Sequence, residues 1–416
     1  MKKLFLTMAS LVMLTAMAFA QDETPMLPSQ HGLTDHQPAW GSSQTFNLSQ
    51  GWNWWSTYIN VSGETGLEAL TTALGESATA ITTAGPFYLY ENGEWSGTLA
   101  AIENEQMYAI NMSQAAEITL RGSRTSADQT IISLIEGWNW IGYPVAIELP
   151  INDALANYAA SNGEVFKTAG PFAMYDETAG WTGSLLSLTP GLGYQLKSLG
   201  TGTLVYNTNV TSKGREMVTS DILSTEWQAQ MASNPTNMNM IAVVNLNDEE
   251  LRSENVEIGV FNGETCRGAI RPMYVEAFDQ YMVFLTMYGE ENEPFSFRLL
   301  DHETGDIYES NEASVSYKAN NVIGALRSPF ELNFNTKNMV ANHLHLFPNP
   351  VHHGEMVNMI LPEGSVTVEV VNMLGSTVKS VRMAGSELSA DMAPGVYTVK
   401  VIDAEGHVYV DKLIVK

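Results

Sequence analysis

LSQGWNW, residues Leu48 to Trp54, recurs as LIEGWNW, Leu134 to Trp140, and TAGPFYLYENGEWSGTL, Thr83 to Leu99, recurs as TAGPFAMYDETAGWTGSL, Thr168 to Leu185. Met107-Tyr108 lines up with Gly193-Tyr194, so three blocks return in one order at an offset of 85 to 86 positions. A fixed offset of this kind marks a duplicated structural unit. The copies span about 45–123 and 130–206.

Inside each copy the alternation of Trp52 with Trp54, and of Trp138 with Trp140, puts both rings on one face of a strand. That face is expected to be the core. The spacing of Leu and Ala predicts a short helix over Glu64 to Leu74 and another over Pro150 to Ala160. Gly85-Pro86, Gly170-Pro171, Gly93 and Gly180 mark turns between short strands, and PGLGY, Pro190 to Tyr194, marks a turn into another.

Outward from the repeats, the chain of 416 residues has room for several domains. It begins with Lys2 and Lys3, a largely apolar run from Leu4 to Phe19 and Ala18-Phe19-Ala20 before Gln21. This is the pattern of a signal peptide, residues 1–20, cleaved after Ala20 with Ala18 at the minus-three position. Residues 21–44 hold three Pro and two His with little apolar periodicity and read as a flexible leader. The polar stretch 207–221 reads as a linker. Residues 222–335 carry strand-like runs such as VEIGVFNG, Val256 to Gly263, and QYMVFLTMYG, Gln280 to Gly289, which predict an antiparallel β-sandwich. From 344 to 416 four alternating runs, Val366 to Asn372, Thr377 to Met383, Gly395 to Asp403 and His407 to Val415, predict a second, immunoglobulin-like sandwich. The fold class is mostly β: two repeated β-rich units with small helices, a middle sandwich and a C-terminal sandwich.

Against 20 Lys and Arg stand 46 Asp and Glu, an acidic balance that disfavours nucleic acid as a partner. Cys266 is the only cysteine, so no disulfide forms within the chain, and it reads as a small buried hydrophobe. His343, His345, His352 and His353 flank a turn and read as solvated rather than as metal ligands. Asn245, Asn247, Asp248, Glu249 and Glu250 lack the spacing of a helix-loop-helix calcium site and read as a turn. No GxSxG elbow, HExxH helix or phosphate loop is present, which points away from an enzyme and from any cofactor.

The last 73 residues contain FPNP, Phe347-Pro348-Asn349-Pro350, then VVNMLG ending at Gly375, then MAPGVYTVKV with Gly395 and Tyr397, and a closing KLIVK that starts at Lys412. In order and spacing they resemble the type A C-terminal sorting domain of the type IX secretion system of Bacteroidota. The departure is His352-His353 after FPNP, where a short polar residue is usual. The resemblance implies recognition by the secretion machinery, export across the outer membrane, removal of the domain by a sortase and attachment of the remainder to an anionic lipopolysaccharide. The GWNW units, and EIGVFNGETCRG from Glu257 to Gly268, resemble modules that recur in Bacteroidota surface proteins.

The expected function is therefore a secreted or surface-held, non-enzymatic binding or adhesion protein with a glycan or protein ligand. Rings beside polar groups suit such ligands, and Trp55, Tyr90, Trp95, Tyr175 and Trp181 are the candidate ligand-binding residues, with packing as the competing role. The alternatives are a glycan hydrolase built on paired carboxylates and a structural surface-layer component.

Overall fold

The computed structural model describes residues 41–61, 65–208, 223–311, 314–340, 344–360, 366–383, 385–402 and 408–416. The signal segment with Ala18 and Ala20, the leader as far as residue 40 and linker residues 209–221 lie outside them. The chain is mostly β and divides into two compact units. The first takes in both repeats and Ala232–Asn237; the second takes in Leu223–Met231 and Met238–Lys416.

The first repeat runs β1 (Ser42–Leu48), β2 (Gly51–Trp55), β3 (Ile59–Val61), α1 (Leu67–Leu74), β4 (Ala78–Thr82), β5 (Phe87–Glu91), β6 (Glu94–Gly97), β7 (Tyr108–Met112) and β8 (Ala116–Arg124). The second runs β9 (Ile132–Leu134), β10 (Gly137–Ile141), β11 (Leu149–Pro150), α2 (Ile151–Ala154), β12 (Val165–Lys167), β13 (Phe172–Asp176), β14 (Gly180–Gly183), β15 (Ser187–Leu188), β16 (Tyr194–Ser198) and β17 (Gly202–Leu204). Their main sheets share one topology: β2-β7-β4-β5-β6 in the first and β10-β16-β12-β13-β14 in the second. Strand β1 begins at Ser42, inside the segment 21–44 read as leader, and Ser42 to Leu48 pair residue for residue with β8.

Hydrogen bonds explain why the repeat motifs read as they do. Gly51 and Gly137 take φ values of +90° and +98°, which side chains disfavour, and so turn the chain into the strand. Asn53 then closes the turn: its Oδ1 accepts from Ser49 N at 3.0 Å, and its Nδ2 donates to Ser49 O and Gly51 O. Asn139 makes the same bonds to Ile135 and Gly137. In TAGPF, Thr83 N and Thr168 N each donate to the Pro carbonyl three residues on, at 2.9 Å in both copies. Asn139→Ala should lower stability by about 1–3 kcal/mol, because it strips a largely buried turn of its partners; a shift of the urea midpoint measures it.

Helix α2 stops at Ala154, well short of Ala160. The Ala154 carbonyl that would continue the helix instead accepts from Asn207 N at 2.9 Å. Helix α1 occupies the end of its expected range, with Leu67, Leu70 and Leu74 buried.

The larger correction concerns the core. In the first repeat Trp55, Tyr108, Ile110 and Ile81 pack with Phe46, Ile118, Leu120 and the leucines of α1, so the buried face is the one carrying Trp55. Trp52 and Trp54 lie on the opposite, outer face, and in the second repeat the core likewise forms on the Ile141 face. Alternation separates two faces of a strand; the partner layers, here β1, β8 and α1, decide which is inside.

In the second unit, Met238–Leu246 pairs parallel with Phe330–Val340 within an otherwise largely antiparallel path of strands. The expected purely antiparallel arrangement is thus corrected to a mixed one, and the last strand reaches five residues past 335. Its core gathers Met240, Val260, Leu285, Phe297 and Leu332. EIGVFNGETCRG acquires a structural role: buried Glu257 accepts from Glu226 N and Trp227 N at 2.7 and 2.9 Å, and the Trp227 ring meets Phe261 edge-on. Cys266 is buried, and burial raises its thiol pKa. Asn247 and Asp248 form the positive-φ tip of a hairpin that pairs Asn245 with Glu250.

Residues beyond 344 form two sheets around one core, a three-stranded one with His345–Phe347, Met356–Ile360 and Glu387–Ser389 and a four-stranded one with Val366–Asn372, Thr377–Met383, Gly395–Ile402 and Val408–Val415.

Candidate functional site

The repeats are joined by matched contacts. Trp55 bridges to Leu192 and Ile141 to Gln106; Ser56 N donates to Gly191 O and Gly142 N to Glu105 O. Each pair maps onto the other under the repeat offset, which is the signature of a pseudo-two-fold relation. On that relation the rings of Trp54 and Trp140 stack, 6.4 Å apart and 24° from parallel. The outer faces of both sheets therefore meet in a platform of Trp52, Trp54, Trp138 and Trp140.

Residues Ala232–Asn237 cross this platform as a strap. Trp52 Nε1 donates to Ser233 O at 2.7 Å and Trp54 Nε1 to Pro235 O at 2.8 Å. Asn237 Nδ2 donates to the carbonyls of Thr168 and Ala169, at 3.1 and 2.9 Å. Asn237 Oδ1 accepts from Lys167 Nζ at 2.7 Å, while that ammonium stands 4.3 Å from the Trp138 ring centroid. A cation over an indole face gains from the ring quadrupole. Lys167 is fully buried; burial, and then the nearby Lys197 charge, hold its pKa well below the ordinary lysine value.

Across each outer face the registers lay out equivalent rows. In the first repeat Trp54, Ala109, Thr82 and Phe87 stand in line, and beside them Trp52, Asn111, Ala80 and Leu89. In the second the rows are Trp140, Gln195, Lys167 and Phe172, and Trp138, Lys197, Val165 and Met174. Their exposure differs sharply at the β5 and β13 ends. Phe172 and Met174 are buried, whereas Phe87 is 42% exposed and Leu89 is half-buried.

The candidate ligand-binding residues do not form one site. Trp55 is 1% exposed, with Phe46 at 5.3 Å and Tyr108 at 5.8 Å between ring centroids, and Trp181 is buried edge-on against Phe166. Both are core residues, because the sheet face they occupy is the inner one. Tyr175 is half-buried against the same core as Trp181. Tyr90 and Trp95 are half-buried at the open end of the first sheet, where Trp95 also stacks on Tyr88 at 10° from parallel. Phe87, Lys167 and the strap were not among the expected site residues. The one sequence signal was the unmatched pair Thr82 and Lys167 within otherwise matching motifs.

In the C-terminal domain the motif residues converge. Asn349 bonds through Nδ2 to Lys412 O and through Oδ1 from Ile414 N, and Val351 N donates to Ile414 O, so FPNP is fastened to the final strand. Tyr397 hydroxyl donates to Ala393 O at 2.6 Å, Gly395 opens the strand that carries it, and Gly375, at φ +82°, turns a hairpin whose Met373 and Leu374 are fully presented to solvent.

Residues 345–416 match the family described as the secretion system C-terminal sorting domain. No curated protein matches the chain. Among solved structures, PorZ, an essential surface component of the type-IX secretion system of Porphyromonas gingivalis, is similar at 9% identity over 82% of this chain and 69% of its own, with a TM-score of 0.16. Latent dimeric PorU from the same organism is similar at 11% identity over 90% of this chain and 30% of its own, with a TM-score of 0.19. The fastened FPNP segment, the Gly375 hairpin and the family match identify residues 345–416 as a type IX secretion C-terminal sorting domain, which implies export to the cell surface or the medium.

Proposed function

We propose that the exported chain is a non-enzymatic binding or adhesion protein, anchored through lipopolysaccharide after a sortase removes the sorting domain, with its ligand on the outer face of the first repeat. The observation that carries this reading is the asymmetry between the duplicated sheets: one scaffold leaves Phe87 exposed and Leu89 half-buried where its copy buries Phe172 and Met174. Apolar side chains left in solvent beside backbone and hydroxyl groups mark a surface suited to a partner. Thr82, paired with Phe87 on the same face, and Thr83 in the adjoining turn supply polar neighbours, while Tyr90 and Trp95 lie on the opposite face of β5 and β6.

The test is retention of the purified chain on arrays of glycans and matrix proteins. The double variant Phe87→Ser, Leu89→Ser should lose retention by about tenfold or more, since losing central apolar anchors typically costs an interface over 1 kcal/mol each. Retention on none of the surfaces, or retention that the double variant leaves intact, overturns the proposal.

A further inference from the structure

The strap shows what the tryptophan platform accepts. Ser233, Pro235 and Asn237 contact it in turn, one residue in two, which is the period of an extended segment laid on a surface. Two indole N–H groups read main-chain carbonyls, and two turn carbonyls read a side-chain amide. Aromatic walls holding a proline-containing extended segment form a recurring mode of peptide recognition.

The pseudo-two-fold relation makes a second copy of this arrangement. Where the strap crosses from Trp52 and Trp54 to the Thr168 and Ala169 carbonyls, the related track runs from the second GWNW strand to the Thr83 and Ala84 carbonyls and Phe87. Its parts are accessible. Trp140 is half-buried where Trp54 is 5% exposed, and Ala84, Gly85, Pro86 and Phe87 are exposed where Thr168 and Phe172 are buried. Thr83 O accepts from Thr82 Oγ1 at 3.0 Å and keeps a second lone pair, and Ala84 O accepts no hydrogen bond among the described residues. Thr82 stands where Lys167 fills the occupied copy, so this end of the track carries no buried cation to satisfy.

We infer that this second track binds an extended, proline-containing peptide segment of a partner protein. The chemistry follows the strap: a main-chain carbonyl accepts from Trp140 Nε1, a carboxamide side chain donates to the Thr83 and Ala84 carbonyls, and an apolar side chain covers Phe87. The inference rests on the proposed binding role of the outer face and names its ligand class.

The experiment titrates the purified full chain with the synthetic peptide Ala-Ser-Asn-Pro-Thr-Asn-Met, the sequence of residues 232 to 238, and follows tryptophan fluorescence and backbone amide shifts. Saturable binding is expected, weakened about tenfold by Phe87→Ser and by Ala84→Lys, each change worth about 1.4 kcal/mol. Both substitutions fall on exposed positions and leave the fold intact, so Trp140 need not be touched. A peptide with Leu in place of its second Asn should bind at least as weakly as those variants bind the parent. No saturation at millimolar peptide overturns the inference, and so does binding that ignores both substitutions, since that outcome means the peptide has displaced the strap. If arrays retain the chain through Phe87 while the peptide fails, the ligand class falls and the binding role stands; if neither is retained, both fall.

Discussion

A chain ending at Val340 should be retained in the periplasm, with its surface and medium fractions nearly lost. The C-terminal domain is a self-contained two-sheet core, and its removal takes away the element the secretion machinery reads while leaving the three preceding cores untouched. The structure adds a sharper form of the result. Deleting only Lys412 to Lys416 should impair export almost as severely, because these five residues hold the FPNP segment: Asn349 bonds to Lys412 O and Ile414 N, Val351 to Ile414 and Lys416, and His353 N to Lys416 O. Losing them also leaves Val351, Leu346 and Tyr397 without Leu413 and Val415 in the core. Immunoblots of whole-cell, periplasmic and surface fractions measure the outcome; normal surface levels of either truncation would falsify the assignment of sorting to this domain.

The second large effect lies in the first repeat. Trp55→Ala should destabilise the unit by about 3–5 kcal/mol, the cost of emptying a fully buried aromatic site. Trp55→Phe should cost much less, since the Trp55 indole N–H makes no hydrogen bond among the described residues and the ring contacts to Phe46 and Tyr108 survive in part. Trp52→Ala, three residues before Trp55 and on the outer face, should stay well below Trp55→Ala because its ring is half-buried and its main bond is to Ser233 O. Chemical denaturation of the three variants ranks them; an equal loss for Trp52 and Trp55 would contradict the inner-face assignment.

That contrast also shows what could be read from the chain before folding. The duplication, the strand alternation, the turn glycines and the sorting motifs were all legible, since each depends on local spacing. Which face turned inward was not, because GWNW offers two tryptophans on one side and an asparagine with a third on the other. Apolar weight alone favours the wrong side. The decision rests with Phe46, Ile118, Leu120 and the leucines of α1, which reach Trp55 only through sheet pairing and helix packing. Two ligand-binding candidates fail in related ways: Trp55 lies opposite the expected core face and Trp181 follows a turn glycine, and sheet packing puts both inside. Phe87 was hidden for a different reason. It occurs in TAGPF beside an identical Phe172, and two identical motifs carry no record of which one the fold will cover. The helix expected over 150–160 failed through a long-range contact, Asn207 taking the Ala154 carbonyl.

The matched bridges of Trp55 with Leu192 and Ile141 with Gln106 have an evolutionary reading. An interface in which each half offers the other the same patch is what a single-copy ancestor would use to close as a homodimer. Joining the two subunits in one chain would release them from having to stay identical, and the two copies now differ: one carries buried Lys167 under a covering segment where the other carries half-buried Thr82.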